Sequence, residues 1–190
     1  AASLLQSSKE RYALVIGSEQ ISTRLDMEDR NTCVLFGDGA GATVIELKEG
    51  TELYSVWGSE GLTDVLGCTG QNMGKAHIFM DGQKTFKNAV KRMGSAAAEV
   101  LEQSGYTMDD IDYVVCHQAN ERIIDAVVKR MDIPEEKVVK VIARYGNTSA
   151  ASIPITLDDM YEQGMLEKGN RILLATFGAG FTWASMIVEI

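Results

Sequence analysis

Two short stretches of this chain hold side chains suited to carbonyl chemistry. One is Val115-Cys116-His117-Gln118-Ala119-Asn120; the other, further along, is Gly146-Asn147-Thr148-Ser149-Ala150-Ala151-Ser152. An imidazole and a carboxamide can each donate a hydrogen bond to one developing oxyanion, and neither has to change protonation at neutral pH to do so. Removing one such donor typically costs on the order of 10²–10³ in rate. The chain has only 2 histidines, so the one at position 117 carries weight. Taken singly, His117 reads as a satisfied core histidine and Asn147 as a turn residue beside Gly146. Their joint placement, each just past an apolar strand-like run and just before a helical one, points to a shared site.

Those runs are the elements that must position the pair. Residues 12–17, 32–36, 42–47 and 53–57 read as strands from their apolar and β-branched runs. Gly37-Asp38-Gly39-Ala40-Gly41 joins the second to the third as a tight turn. It is not a phosphate loop, because no Lys-Ser/Thr pair follows and the continuation is a strand instead of a helix. Residues 58–82 are Gly-rich and irregular, a length of loop that usually shapes or covers a site. Phe86, Ala89, Val90, Met93, Ala97, Val100 and Leu101 then recur at helical spacing, with Gly105 as the stop. Strands are predicted over 111–116, 138–142, 171–176 and 182–189, helices over 120–131 and 150–163, and a sharp turn over 177–181. Strands alternating with helices imply a mostly parallel, covered sheet, to which the last pair adds an antiparallel edge. Sites in such sheets form beyond the carboxyl ends of strands, so His117, Asn147 and the 177–180 turn can converge there if their strands are neighbours.

Composition excludes several classes. The net charge of −9 argues against nucleic acid as a partner, since neutralising phosphates needs a basic surface. No apolar run approaches the roughly 20 residues of a membrane span. The first ten residues lack the basic start and apolar core of a signal peptide and read as the tail of an amphipathic helix. The expectation is a cytoplasmic protein and a chain cut from something longer. Cys33, Cys68 and Cys116 are too widely spaced for a metal-ligand pattern, so no metal is expected; Cys33 and Cys68 read as small buried hydrophobes. His77 has no partner motif and reads as surface or structural.

Four motifs carry a family resemblance. His117-Gln118-Ala119-Asn120-Glu121-Arg122-Ile123-Ile124, Gly146-Asn147-Thr148-Ser149-Ala150-Ala151-Ser152, Phe177-Gly178-Ala179-Gly180-Phe181-Thr182-Trp183 and Phe36-Gly37-Asp38-Gly39-Ala40-Gly41-Ala42 resemble those of beta-ketoacyl-acyl carrier protein synthase III, in the same order and across the whole chain. The resemblance implies an α/β thiolase-like fold, two duplicated halves making an αβαβα sandwich. Residues 1–82 would be the last strands of the first half with an irregular connection, and 83–190 the complete second half. It also implies a Cys-His-Asn acyltransferase of fatty acid synthesis that condenses an acyl-CoA primer with malonyl-acyl carrier protein. His117 and Asn147 would hold the malonyl thioester oxygen, Phe177 would supply an apolar wall for decarboxylation, and Ala179 would stand in an oxyanion-forming turn where the family usually has Gly, its backbone N–H retained. The carrier protein would dock at Gln118, Ala119, Asn120 and Arg122. Gly82 and Asn120 would contact the pantetheine of coenzyme A. No cofactor is implied beyond these substrates.

The departure from the family is the nucleophile, whose cysteine should lie shortly before residue 1. Cys116 is a poor replacement, because adjacent strand residues point to opposite faces and it should diverge from His117. The chain by itself is therefore expected not to condense substrates. It is also expected to associate with the missing N-terminal segment or with a second copy, to cover apolar surface and strand edges. On the helix after His117, Arg122, Lys129 and Arg130 form a basic stripe in an otherwise acidic chain, fit to meet an acidic carrier. Two alternatives stay open: a related thiolase-fold enzyme of specialised metabolism, and a non-catalytic fragment that pairs with a partner chain.

Overall fold

The structure, a computed structural model, describes residues 1–48, 50, 52–69 and 76–190. A short helix α1 (Ala2–Ser7) leads into an antiparallel ribbon of β1 (Tyr12–Glu19) and β2 (Gly39–Glu46), paired from Tyr12 opposite Glu46 to Glu19 opposite Gly39. β3 (Ser55–Ser59) follows, then a hairpin of β4 (Leu66–Cys68) and β5 (Ile78–Met80). The segment 58–82, read from sequence as irregular, thus takes in the end of β3 and the whole β4–β5 hairpin, and its residues 70–75 lie outside the described residues. The remainder comprises α2 (Gly82–Ser104), β6 (Tyr113–Cys116), α3 (Glu121–Met131), a single turn α4 (Ile142–Tyr145), α5 (Ser152–Glu162), β7 (Arg171–Gly178) and β8 (Thr182–Glu189).

The main sheet runs in the order β3-β8-β7-β6. Only β6 and β7 are parallel; β8 runs antiparallel to both β7 and β3. The mostly parallel sheet expected from the alternation of elements is therefore a mixed one, and β8 is an interior strand, not an edge. The tight 179–181 turn reverses the chain straight into β8, and β3 arrives from before α2 to cover the far side. β3 belongs to the stretch 1–82, so a division at 82/83 crosses this sheet.

Alternation along the strands sorts the core into two layers. Val114, Cys116, Leu173 and Ala175 face α2 and α3, where Ala89, Met93, Ala97, Val100, Ile123, Ile124 and Val127 meet them. Val115 and Ile172 face the other way, onto Met160 of α5 with Val139 and Val141. Both long helices on the first face carry local stops. The Asp81 carboxylate accepts the Lys84 N–H at 3.0 Å to start α2, and Gly105, at φ 72°, ends it. Asn120 caps α3 through its side-chain oxygen, 2.9 Å from the Arg122 N–H.

Two predicted strands are absent, each for a local reason. In 32–36 the backbone donors turn inward: Thr32 and Cys33 both donate to the Asp29 carbonyl, and Leu35 donates to that of Thr32. The Asp29 carboxylate also takes the Thr32 hydroxyl at 2.8 Å, leaving only Phe36 to bridge to Asn147. In 138–142 only Val138 bridges to β6, opposite Val114. Beyond it the Gln118 carboxamide occupies the ladder positions: its Nε2 donates to the Cys116 and Val139 carbonyls, and its Oε1 accepts from Val141 N–H and Ile142 N–H at 2.9 and 3.1 Å. A side chain has replaced a strand.

The β1–β2 ribbon lies against the segment that carries Asn147, and glycine makes that possible. A Cβ on Gly37 would sit 2.4 Å from the Tyr145 carbonyl oxygen, and one on Gly17 would sit 2.6 Å from that of Ala150. These are backbone atoms and cannot swing aside. Gly37→Ala is expected to destabilise the chain by about 1–3 kcal/mol through overpacking. Gly61→Ala, with nothing within 4 Å of its added carbon, should be near neutral. Urea denaturation of the two variants checks the contrast, and equal midpoints would contradict it.

Candidate functional site

β6 ends at Cys116, and one further step of strand alternation turns His117 away from the α2–α3 core and toward α5. Its backbone N–H still donates to the Ala175 carbonyl of β7 at 2.8 Å, so the ring is held from the sheet. The ring Nδ1 lies 2.6 Å from the Ser152 hydroxyl oxygen at the start of α5. Nε2 has no hydrogen-bond partner among the described residues and is left to a cavity of about 920 Å³. Burial lowers the His117 pKa from 6.5 to about 4, so the imidazole is neutral across the physiological range.

Asn147 reaches the same cavity from the other side. It does not follow a strand, as predicted, but the single turn α4 and Gly146. Its backbone is fixed on the N-terminal part of the chain, donating to the Leu35 carbonyl and accepting from Gly37 N–H, both at 2.9 Å. Its Oδ1 accepts the Ser149 N–H at 3.0 Å, with Ser149 held at φ 51°. An amide whose oxygen is committed to a donor must present its NH₂ elsewhere, and among the described residues Nδ2 finds only the cavity. Non-glycine residues seldom adopt this left-handed conformation, and here it orients the carboxamide.

Phe177 forms the apolar wall. Its ring centroid is 5.5 Å from that of His117 and stacks on Phe181 at 5.4 Å. Behind it, Glu60 is paired with Arg92, whose guanidinium lies over the Trp183 ring at 4.4 Å. Glu60 N–H donates to the Phe181 carbonyl and Leu62 N–H to that of Gly180, both at 2.7 Å, which braces the turn. The Gly180–Phe181 peptide is cis.

His117, Asn147, Phe177, Ala179, Asn120, Ala119, Arg122 and Gly82 all line this one cavity. Gln118 does not. It is 1% exposed and spends its carboxamide on the four internal contacts described above, so it cannot offer a carrier-docking surface. Ala119 is also buried, whereas Arg122, Lys129 and Arg130 are exposed on α3. Cys116 is fully buried in the α2–α3 core with its thiol pushed up to about 12 by desolvation, consistent with a structural thiol. Cys68 corrects the expectation of a buried hydrophobe, being exposed on β4 at the cavity's edge, and Cys33 is half-buried. His77 is half-buried, 3.9 Å from Asp26. Sequence reasoning missed Ser152 as the partner of His117; it expected 58–82 to shape or cover a site, as its residues at the cavity wall do, but missed that they form the β4–β5 hairpin. Ser152 stands within a quoted motif, but nothing in spacing links it to His117.

The mixed sheet layered between helices, with donors gathered from loops at one end, is shared with solved thiolase-fold structures. Within that class, residues 101–190 match the family model described as 3-oxoacyl-[acyl-carrier-protein (ACP)] synthase III C terminal, and residues 1–61 match the one described as 3-oxoacyl-[acyl-carrier-protein (ACP)] synthase III. The chain belongs to the 3-oxoacyl-[acyl-carrier-protein] synthase III family. It is 44% identical to the beta-ketoacyl-[acyl-carrier-protein] synthase III of Caldanaerobacter subterraneus, aligning over all of this chain and 61% of that protein. The crystal structure of 3-oxoacyl-[acyl-carrier-protein] synthase III from Aquifex aeolicus superposes with a TM-score of 0.91 at 41% identity, covering 100% of this chain and 61% of that one. The priming beta-ketosynthase of the R1128 polyketide pathway gives 0.93 at 34% identity, covering 100% and 60%. The chain thus spans about 61% of the length of the curated relatives it matches. Among the described residues no helix is long and apolar enough to cross a membrane.

Proposed function

We propose that this chain supplies the decarboxylation and carrier-docking side of a ketoacyl synthase III. A malonyl thioester enters the cavity with its carbonyl oxygen between His117 Nε2–H and Asn147 Nδ2–H. The electron pair of the bond to the carboxylate moves toward the thioester as CO₂ leaves, and the charge collects on that oxygen, where both donors meet it. The enolate carbon then attacks an acyl thioester, and the acyl-carrying thiolate departs. A neutral imidazole stabilises the enolate by hydrogen bonding without giving up its proton, which suits an intermediate that must stay nucleophilic. Phe177 keeps water from the departing CO₂. The observation that carries this reading is that two side-chain donors, each with its other polar atom committed to the protein, open on one cavity beside an aromatic wall. Decarboxylation of a malonyl thioester is the test, with the His117 and Asn147 variants argued in the Discussion.

The acyl-carrying cysteine of the family reaction has no counterpart among Cys33, Cys68 and Cys116 in this reading, and acyl-CoA loading belongs to the portion of the relatives' length beyond this chain. Leu14, Ile16 and Val44 stand 60–65% exposed on the β1–β2 ribbon, which supports an apolar contact with that portion or with a second copy. Arg122 at the cavity mouth is the proposed first contact for an acidic acyl carrier protein. Arg122→Glu, in the enzyme completed to its relatives' length, is expected to lower carrier-dependent turnover by about tenfold through charge repulsion. Acyl transfer from acyl-CoA should be spared, and equal loss of both steps would remove Arg122 from the carrier site. A second reading keeps the chemistry and changes the product. The likeness to a priming ketosynthase of polyketide synthesis supports it, and a panel of acyl-CoA primers separates the two.

A further inference from the structure

We propose that Ser152 is a positioning residue that sets the tautomer of His117, holding the ring with its proton on Nε2, where the oxyanion needs it. The proposal rests on the reading of His117 as an oxyanion donor. A neutral imidazole carries one proton on either of two nitrogens, and only the Nε2–H form can donate into the cavity.

The contacts around Ser152 discriminate between the two forms. Ser152 is 2% exposed, so its hydroxyl must find partners within the protein. Its oxygen faces the Gln118 N–H at 3.4 Å, a group that can only donate. It also faces His117 Nδ1 at 2.6 Å. Those are its side-chain contacts among the described residues, so the hydroxyl hydrogen has one acceptor, the lone pair of Nδ1. If Nδ1 carried the proton, two N–H donors would converge on one oxygen and the hydroxyl hydrogen would be buried without an acceptor. The chain of donation therefore runs from Gln118 N–H to Ser152, from the Ser152 hydroxyl to Nδ1, and from Nε2–H to the cavity.

Local structure explains why a serine at this position can do this. Ser152 opens α5, five residues after Asn147, and Thr156 returns a hydrogen bond to its carbonyl at 2.8 Å. The helix that begins beside one donor thereby orients the other. One segment serves both: Ser149 fixes the Asn147 amide through Oδ1, and Ser152 fixes the imidazole through Nδ1.

The test is the imidazole nitrogen spectrum of the ¹⁵N-labelled chain near neutral pH. With 2 histidines, a His77→Gln variant completes the assignment. His117 is expected to show a protonated Nε2 and an unprotonated Nδ1. In Ser152→Ala the tautomer ratio should shift by about tenfold toward Nδ1–H, the value of one buried hydrogen bond, and Ser152→Thr should restore it. A predominantly Nδ1–H ring in the unsubstituted chain, or an unchanged ratio in Ser152→Ala, would overturn the assignment. If Ser152→Ala does not fold, the unsubstituted spectrum still decides. The outcome is separable from the proposed function: a fixed Nε2–H tautomer alongside undiminished decarboxylation in His117→Ala would sink the function and leave Ser152 in its role.

Discussion

Replacing His117 or Asn147 with alanine, in the enzyme completed to its relatives' length, is expected to lower malonyl-thioester decarboxylation by on the order of 10²–10³ each. The size follows from geometry. Each residue has one polar atom committed to the protein, His117 Nδ1 to Ser152 and Asn147 Oδ1 to Ser149 N–H, and one donor open to the cavity. Neither donor needs reorganising when the enolate forms, so its full stabilisation appears in the transition state. If both act on one oxygen, as proposed, the double variant should lose less than the product of the single losses. Asn147→Asp separates donation from packing. It keeps the shape and the contact with Ser149 but presents a carboxylate oxygen where the enolate charge collects, so it should be at least as impaired as Asn147→Ala. Release of CO₂ from malonyl-acyl carrier protein is the measurement. Rates for all four variants within about threefold of the parent, a change too small for a lost oxyanion donor, would end the enzymatic reading.

The second large effect is on stability and is read from the chain itself. Burial lowers the His117 pKa from 6.5 to about 4 in the folded state. Between those values the unfolded chain binds a proton that the folded chain does not, so stability rises with pH across this window. It is fully present above pH 6.5, declines as acid is added, and by about pH 4 the His117 contribution is gone. At 1.36 kcal/mol per unit, the whole contribution is roughly 3 kcal/mol. Carboxylates titrate near the lower end, so the informative quantity is the difference from His117→Gln, which keeps a polar side chain and removes the titration. Urea denaturation near pH 7 and near pH 5 should show a larger loss for the parent than for the variant. Parallel losses would mean that His117 is protonated in the folded state or is not buried.

Much of this was readable before the structure. The period of Phe86, Ala89, Met93, Ala97 and Val100 identified α2, and Gly105 marked its end, because a long amphipathic helix repeats one signal many times. His117 and Asn147 were picked out by side-chain chemistry and by their place after apolar runs, Phe177 through the family resemblance, and the three line one cavity. The failures came where a local contact outbid a propensity. Val138–Ile142 has a strand's composition, yet the Gln118 carboxamide takes its backbone partners. Thr32–Phe36 is similarly apolar, but Asp29 folds it into turns. Gln118 itself was expected at the surface with its motif neighbours, and one residue's phase in a loop was enough to bury it.

The order of residues by itself determined the family, the helical faces and the kinds of donor available, because these depend on identity and short-range spacing. Only the tertiary structure decided which atom of each donor is free, since that is settled by groups distant in sequence: Ser152 at His117 Nδ1, and the Leu35–Gly37 backbone clamped on Asn147. It also decided why Gly17 and Gly37 carry no side chain, for the carbonyls of Ala150 and Tyr145 fill the space a Cβ would need. A sequence specifies which hydrogen bonds a side chain is able to make. Which of them it makes depends on where the rest of the fold brings its partners, and that is a property of the packed chain as a whole.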